Sequence, residues 1–220
     1  RPGQTSAAWR SELSRVIAFG GSHLSLYQLT VEPGTAFYQE RRRGTLIPAG
    51  EDAALELFLL TQEICEDAGL TAYEISNHAY PGHASRHNLV YWQGGDYLGI
   101  GPGAHGRVKI LGGRHATMAI RHPENWMEAV ARQGHGLEKD ETIEQAEEAT
   151  EHLMMGLRLT EGVSRERFSA YIGQPLEYFI NQSELETLGK EGFIITDEFG
   201  LRATPQGRRV LDTVISRLIV

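Results

Sequence analysis

Residues 76–106 read SNHAYPGHASRHNLVYWQGGDYLGIGPGAHG, a run without the sustained periodicity of a helix or a strand. A chain carrying such a run in its middle must build its core from what lies on either side and thread this part through as loops and short pieces. The run gathers four histidines (His78, His83, His87, His105), three tyrosines and a tryptophan among glycines. Polar, aromatic and conformationally permissive sequence is what is expected where backbone and side chains meet a ligand.

Upstream, Thr5 or Ser6 caps a helix running to about residue 19 on Leu13, Val16 and Ile17, and Gly20-Gly21 ends it. Residues 23–31, HLSLYQLTV, alternate as a strand. Loop, helix and strand in that order are the repeat of a parallel α/β fold. The chain opens on Arg1-Pro2-Gly3-Gln4-Thr5 rather than on Met, as if cut inside a larger fold. Residues 37–50 read as a loop, in which Arg41-Arg42-Arg43 is a solvated turn or a contact for an acidic partner. Residues 51–68 form an amphipathic helix on Leu55, Phe58, Leu59, Gln62 and Cys65. A short strand over 72–76 then delivers Asn77 and His78 at its end, where α/β folds meet their ligands.

Downstream, residues 86–92 are a short helix or strand, 97–100 a brief strand, and 108–111 with 114–120 a hairpin turning at Gly112-Gly113. Pro123 starts a helix to about 133, with Trp126, Met127 and Val130 facing inward. Gly134-His135-Gly136 breaks it and marks a soft boundary between a domain over 1–136 and one over 137–220. A long helix is expected over 140–159, with Thr142 and Gln145 as a capping box. Helices over 164–171 and 183–191, a hairpin over 193–203 and a last helix started by Thr204-Pro205 complete a winged-helix-like outline.

The net charge of −8 argues against a nucleic-acid partner, and the basic residues of the winged-helix outline are interleaved with acidic ones. The single cysteine, Cys65, reads as a small core residue and excludes a multi-cysteine metal site built by this chain alone. No apolar run approaches the roughly 20 residues of a membrane span. With no signal peptide in view, a cytoplasmic location is the expectation.

Several chemistries are open to the central run. Gly99 to Ala104 is a tight turn or backbone approaching a ligand; its glycine spacing does not fit a dinucleotide fingerprint. The histidines suit a metal or haem iron, or ordinary hydrogen-bonded loop positions. Tyr91 and Trp92 suit stacking on a flat ring, or half-buried packing. No G-x-S-x-G elbow is present, and no catalytic residue is assigned.

Three sets of motifs carry a family resemblance: PGQT at 2–5 with HLSLYQLTVEPGT at 23–35; YEISN at 73–77, RHNLVYW at 86–92 and GGDYLGIGPGAH at 94–105; LMMGLR at 153–158 with LRATPQG at 201–207. They resemble, in order along the chain, the oxygen-independent coproporphyrinogen III oxidase-like radical SAM proteins, and the H-N-x-x-Y-W run resembles their HemW branch of haem chaperones. The resemblance implies an α/β fold, the later portion of a partial (β/α) barrel followed by a mainly helical winged-helix-like domain. It implies a [4Fe–4S] cluster and S-adenosylmethionine in the full-length protein, with the cluster motif outside this chain. Thr30 and Ile100 fall at positions expected near S-adenosylmethionine. His87, Asn88, Tyr91 and Trp92 are the residues implied for haem, with His78 and His105 as neighbours and His87 as the iron ligand. The implied function is holding haem and passing it to haem-requiring proteins such as respiratory enzymes, with peripheral membrane contact through the client and self-association as further expectations. The alternatives are a radical SAM oxidoreductase acting on coproporphyrinogen III, which needs the cluster, and a non-catalytic interaction module.

Overall fold

The computed structural model describes residues 2–110 and 113–219. By contact the chain forms two compact units, Arg1–Ser85 and Arg86–Val220. The expected break after Gly136 falls inside the second unit, between two strands that pair from Arg114↔Ile143 to Ala119↔Leu137. A cut there would split a ladder.

In the first unit, α1 (Ser6–Ala18) starts where the Thr5 hydroxyl accepts from the Ala8 N–H. Strand β1 is only His23–Ser25; one further rung, Leu26 N–H to the Ser76 carbonyl, extends it, and the rest of the expected 23–31 strand makes no ladder. The loop expected over 37–50 contains a helix, α2 (Ala36–Arg43), capped by the Thr35 hydroxyl and closed by left-handed Gly44. Arg41, Arg42 and Arg43 fill its last turn, where positive charge opposes the negative end of the helix dipole. Helix α3 (Glu51–Asp67) buries Thr61, Ile64 and Cys65, whereas Leu55 and Leu59 of the expected stripe are exposed. β2 (Thr71–Ala72) and β1 both pair antiparallel with β3 (Asn77–Ala79), in place of the parallel repeat that helix–strand alternation suggests.

Leu13, Ile64, Cys65 and Leu70 form the core of this unit, with Trp9, Ile17 and Leu24 packed on it. Burying one such leucine completely is worth about 1.5–3 kcal/mol. The Trp9 indole N–H, which needs a partner in this setting, donates to the Thr61 hydroxyl at 2.8 Å.

The second unit begins with α4 (Arg86–Trp92). β4 (His105–Ile110) and β5 (Gly113–Ala119) make the expected hairpin, whose turn residues Leu111 and Gly112 lie outside the described residues. The expected strand over 97–100 is a single bridge, Tyr97 to Arg107. After α5 (Pro123–Gln133), in which Ala129 rather than Met127 is buried, comes β6 (Leu137–Ile143). This strand takes the place of the first turn of the expected 140–159 helix. Thr142 therefore caps nothing, and α6 (Gln145–Gly156) starts at Glu144 without a side-chain cap.

The remainder follows the winged-helix outline: β7 (Val163–Ser164), α7 (Arg165–Ile172), α8 (Gln182–Lys190), β8 (Ile194–Thr196), β9 (Gly200–Ala203), α9 (Pro205–Arg208) and α10 (Leu211–Leu218). The strands order β7-β9-β8, and Leu153, Leu157, Phe168, Leu176, Leu188 and Leu201 are sealed between helices and sheet. The mixed α/β class expected from the sequence is the class observed. Among the described residues no helix is long and apolar enough to cross a membrane.

Candidate functional site

The H-N-x-x-Y-W run is helix α4, and its spacing decides which side chains meet. His87 and Tyr91 are four apart, one above the other on one helix face. The Tyr91 hydroxyl lies 2.9 Å from His87 Nε2, with the two rings edge to face at 4.8 Å. His87 is exposed and Asn88 half-buried. The Tyr91 ring abuts Tyr97 edge-on at 4.5 Å. Tyr97 is fixed by two backbone bonds with Arg107, 2.7 and 2.9 Å. Arg107 in turn forks onto Glu151 of α6, Nε to Oε2 at 3.0 Å and the second guanidinium arm to Oε1 at 2.7 Å. Burial raises the Tyr97 hydroxyl pKa, with the Arg107 charge working against it and the Glu151 charge with it.

The helix ends in a Schellman turn. Gly94 N–H bonds the Tyr91 carbonyl and Gly95 N–H the Val90 carbonyl, with Gly94 left-handed at φ 69°. Trp92, at the end of α4, turns into the unit. The Arg158 guanidinium sits 4.7 Å over its ring, its indole nitrogen is buried, and it borders a cavity of about 20 Å³ shared with His152, Gly156 and Val163.

Beneath the Gly94-Gly95 turn lies a buried polar cluster that the sequence reading missed. Arg114 of β5 reaches Glu148 of α6 at 3.6 Å and the Gly95 carbonyl at 3.4 Å, and lies over the Tyr171 ring at 5.2 Å. Tyr171 donates to Asp96 at 2.7 Å; burial first, and this bond second, push its pKa up to about 12. His152 is wedged edge-on between Phe168 and Tyr171. No local motif announces the cluster, because its members come from β5, α6 and α7. The only signals were an arginine in an otherwise strand-like run and a histidine on the apolar side of a helix.

Burial, then the Arg114 charge, lowers the His152 pKa to about 4. An unfolded histidine titrates near 6.5, so the neutral ring's contribution is fully present above that pH and is lost as the pH falls toward 4. The loss is on the order of 3 kcal/mol. Urea midpoints measured across this window should fall steeply for the wild type and more gently for His152→Gln. Parallel profiles would exclude His152 as the titrating group.

Of the other residues singled out by sequence, His105 opens β4 and is exposed, and Ile100 is exposed in the loop before it. His78 and Thr30 belong to the first unit. His78 is in the middle of β3, buried to 1% exposure. Thr30 is exposed in the segment beyond β1 rather than at a strand end. Its neighbours Tyr27, Gln28 and Leu29 line a cavity of about 320 Å³ with Trp9, Phe58 and Gln62. Cys65 has its thiol pushed up to about 11 by burial. One buried, protonated thiol does not fit a [4Fe–4S] cluster, which takes several thiolates. Among the described residues no group of three His, Cys, Asp or Glu side chains is placed to hold a metal ion.

Comparison with known proteins decides the family. Residues 143–210 match the model of the HemN C-terminal domain. Radical S-adenosyl methionine domain-containing protein 1, mitochondrial, of Mus musculus is 38% identical over 224 residues, covering 99% of this chain and 51% of that protein. Heme chaperone HemW of Bacillus subtilis is 31% identical over 207 residues, covering 94% of this chain and 53% of that protein. The chain belongs to the HemW/HemN-like radical SAM family. It spans about half the length of the curated relatives it matches. The solved coproporphyrinogen III oxidase HemN of Escherichia coli superposes with a TM-score of 0.72 at 17% identity, over 98% of this chain and 52% of that one, and so shares the fold. Within this HemW/HemN-like chain, α4 is the element on which an exposed imidazole and its hydrogen-bonded tyrosine stand together.

Proposed function

We propose that this chain carries the haem-holding part of a HemW-type chaperone, and that haem is its cargo. The observation that carries the reading is His87: an exposed imidazole on α4, with one ring nitrogen engaged by Tyr91. A single accessible imidazole held by a neighbour is a donor suited to haem iron. Relatives named heme chaperone HemW support it. Exposed Arg86 beside His87 would meet a propionate through a charge-assisted bond. Trp92 would keep α4 seated through Arg158 rather than cover the porphyrin. Asn88 would orient a neighbour on α4, and His105 would supply a second exposed imidazole in the same unit. On this reading the cluster and most of the S-adenosylmethionine site belong to the remaining length of the protein. The clients would be haem-requiring proteins, membrane-bound respiratory enzymes among them, and the location cytoplasmic.

Haem titration of the intact protein and its His87→Ala variant tests this. The wild type should shift the Soret band on binding, and the variant should lose that shift or bind at least about tenfold more weakly. A variant with unchanged spectrum and affinity would remove His87, and the reading with it.

A further inference from the structure

We propose that Tyr91 is a positioning residue for His87: its hydroxyl oxygen accepts the Nε2 proton, which selects the tautomer whose lone pair is on Nδ1 and presents that nitrogen to iron. The inference rests on the haem reading above and goes beyond it, by naming the ligating atom and the group that prepares it.

A neutral imidazole has one N–H donor and one acceptor nitrogen. The 2.9 Å contact between Tyr91 and His87 Nε2 therefore has two forms. If the tyrosine hydroxyl donates, Nε2 accepts and Nδ1 keeps the proton, so neither nitrogen has a lone pair for a metal. If Nε2–H donates to the tyrosine oxygen, Nδ1 is unprotonated. Only the second form allows coordination with the contact intact. Metal-bound histidines commonly donate their other N–H to a fixed acceptor, which sets the tautomer, holds the ring plane and raises the basicity of the ligating nitrogen.

Such an acceptor must itself be held, and Tyr91 is. Its ring lies edge-on against Tyr97 at 4.5 Å. The backbone of Tyr97 is bonded twice to Arg107 of β4, and Arg107 is forked onto Glu151 of α6. The chain of contacts thus runs from a rigid sheet and helix out to the exposed imidazole. His87 is exposed and Tyr91 half-buried. A tyrosine serving only as an exposed aromatic would not need this support.

The test compares the intact wild-type protein with Tyr91→Phe and His87→Ala. Before haem is added, ring ¹⁵N–¹H correlation spectra above the histidine titration range should show the His87 proton on Nε2 in the wild type. With haem, Tyr91→Phe should bind about 10- to 100-fold more weakly. Its ferrous complex should also show a lower iron–histidine stretching frequency, a signature that loss of packing alone does not move. A wild-type proton on Nδ1 overturns the inference. So does Tyr91→Phe with wild-type affinity and an unmoved iron–histidine band; if His87→Ala still loses haem in that case, the haem reading survives without this refinement. Unchanged haem binding by His87→Ala takes down both.

Discussion

Arg114→Ala should destabilise the second unit by about 3–5 kcal/mol, the range for removing one partner of a buried ion pair. Arg114 has 4% of its surface exposed and Glu148 8%. Their attraction across 3.6 Å is not what the variant mainly loses. Taking two charges out of water is costly, and an apolar pair of similar volume is often as stable. The damage comes from leaving the Glu148 carboxylate buried without a cation and the Gly95 carbonyl without its donor. The double variant Arg114→Met with Glu148→Leu should accordingly recover most of the loss. Urea unfolding followed by far-UV circular dichroism measures both. A single variant less than about 1 kcal/mol below wild type, or a double variant worse than the single, would contradict this account.

Gly94→Ala should cost about 3 kcal/mol, from two sources that a control separates. A left-handed backbone costs a residue with a Cβ roughly 1–2 kcal/mol, and overpacking a filled site roughly 1–3 more. At Gly94 an added Cβ would stand 2.5 Å from His152 Nε2, a ring held edge-on between Phe168 and Tyr171. Gly173 has a similar φ of 82° with nothing within 4 Å of the corresponding Cβ. Gly173→Ala should therefore lose only the backbone part. On the proposed haem reading, because Gly94 closes α4, its alanine variant should also weaken haem binding, whereas Gly173→Ala should not. Equal midpoints for the two variants would show that His152 yields and that the turn is not tightly seated.

The sequence announced those features that depend on nearby residues. Thr5 before α1, Pro123 at the head of α5, and Thr204-Pro205 before α9 are local chemistry and appear where expected. Helix α2 had the same punctuation, Thr35 before it and Gly44 after it, but three arginines and few apolar residues hid its period. Strand β6 reads as helix because Glu138, Lys139, Asp140 and Glu141 bring no alternation. An edge strand pairs through its backbone, and only Ile143 is fully buried. At the site, the i,i+4 meeting of His87 with Tyr91 was legible once 86–92 was helical. The inward turn of Trp92 was not, because Arg158 lies far along the chain. For the same reason the Arg107–Glu151 fork and the cluster around Arg114 had no sequence signature.

Cys65 is fully buried in the core of the first unit, and it is the one cysteine of the chain. Only a thiolate reacts with an alkylating reagent, and this thiol, held near 11, is both shielded and protonated at neutral pH. Its labelling must wait until α3 separates from α1. Within this chain the reaction is a clock for the opening of the first unit. The rate at which Cys65 is modified in native buffer reads how often the first unit comes apart, with no engineered probe.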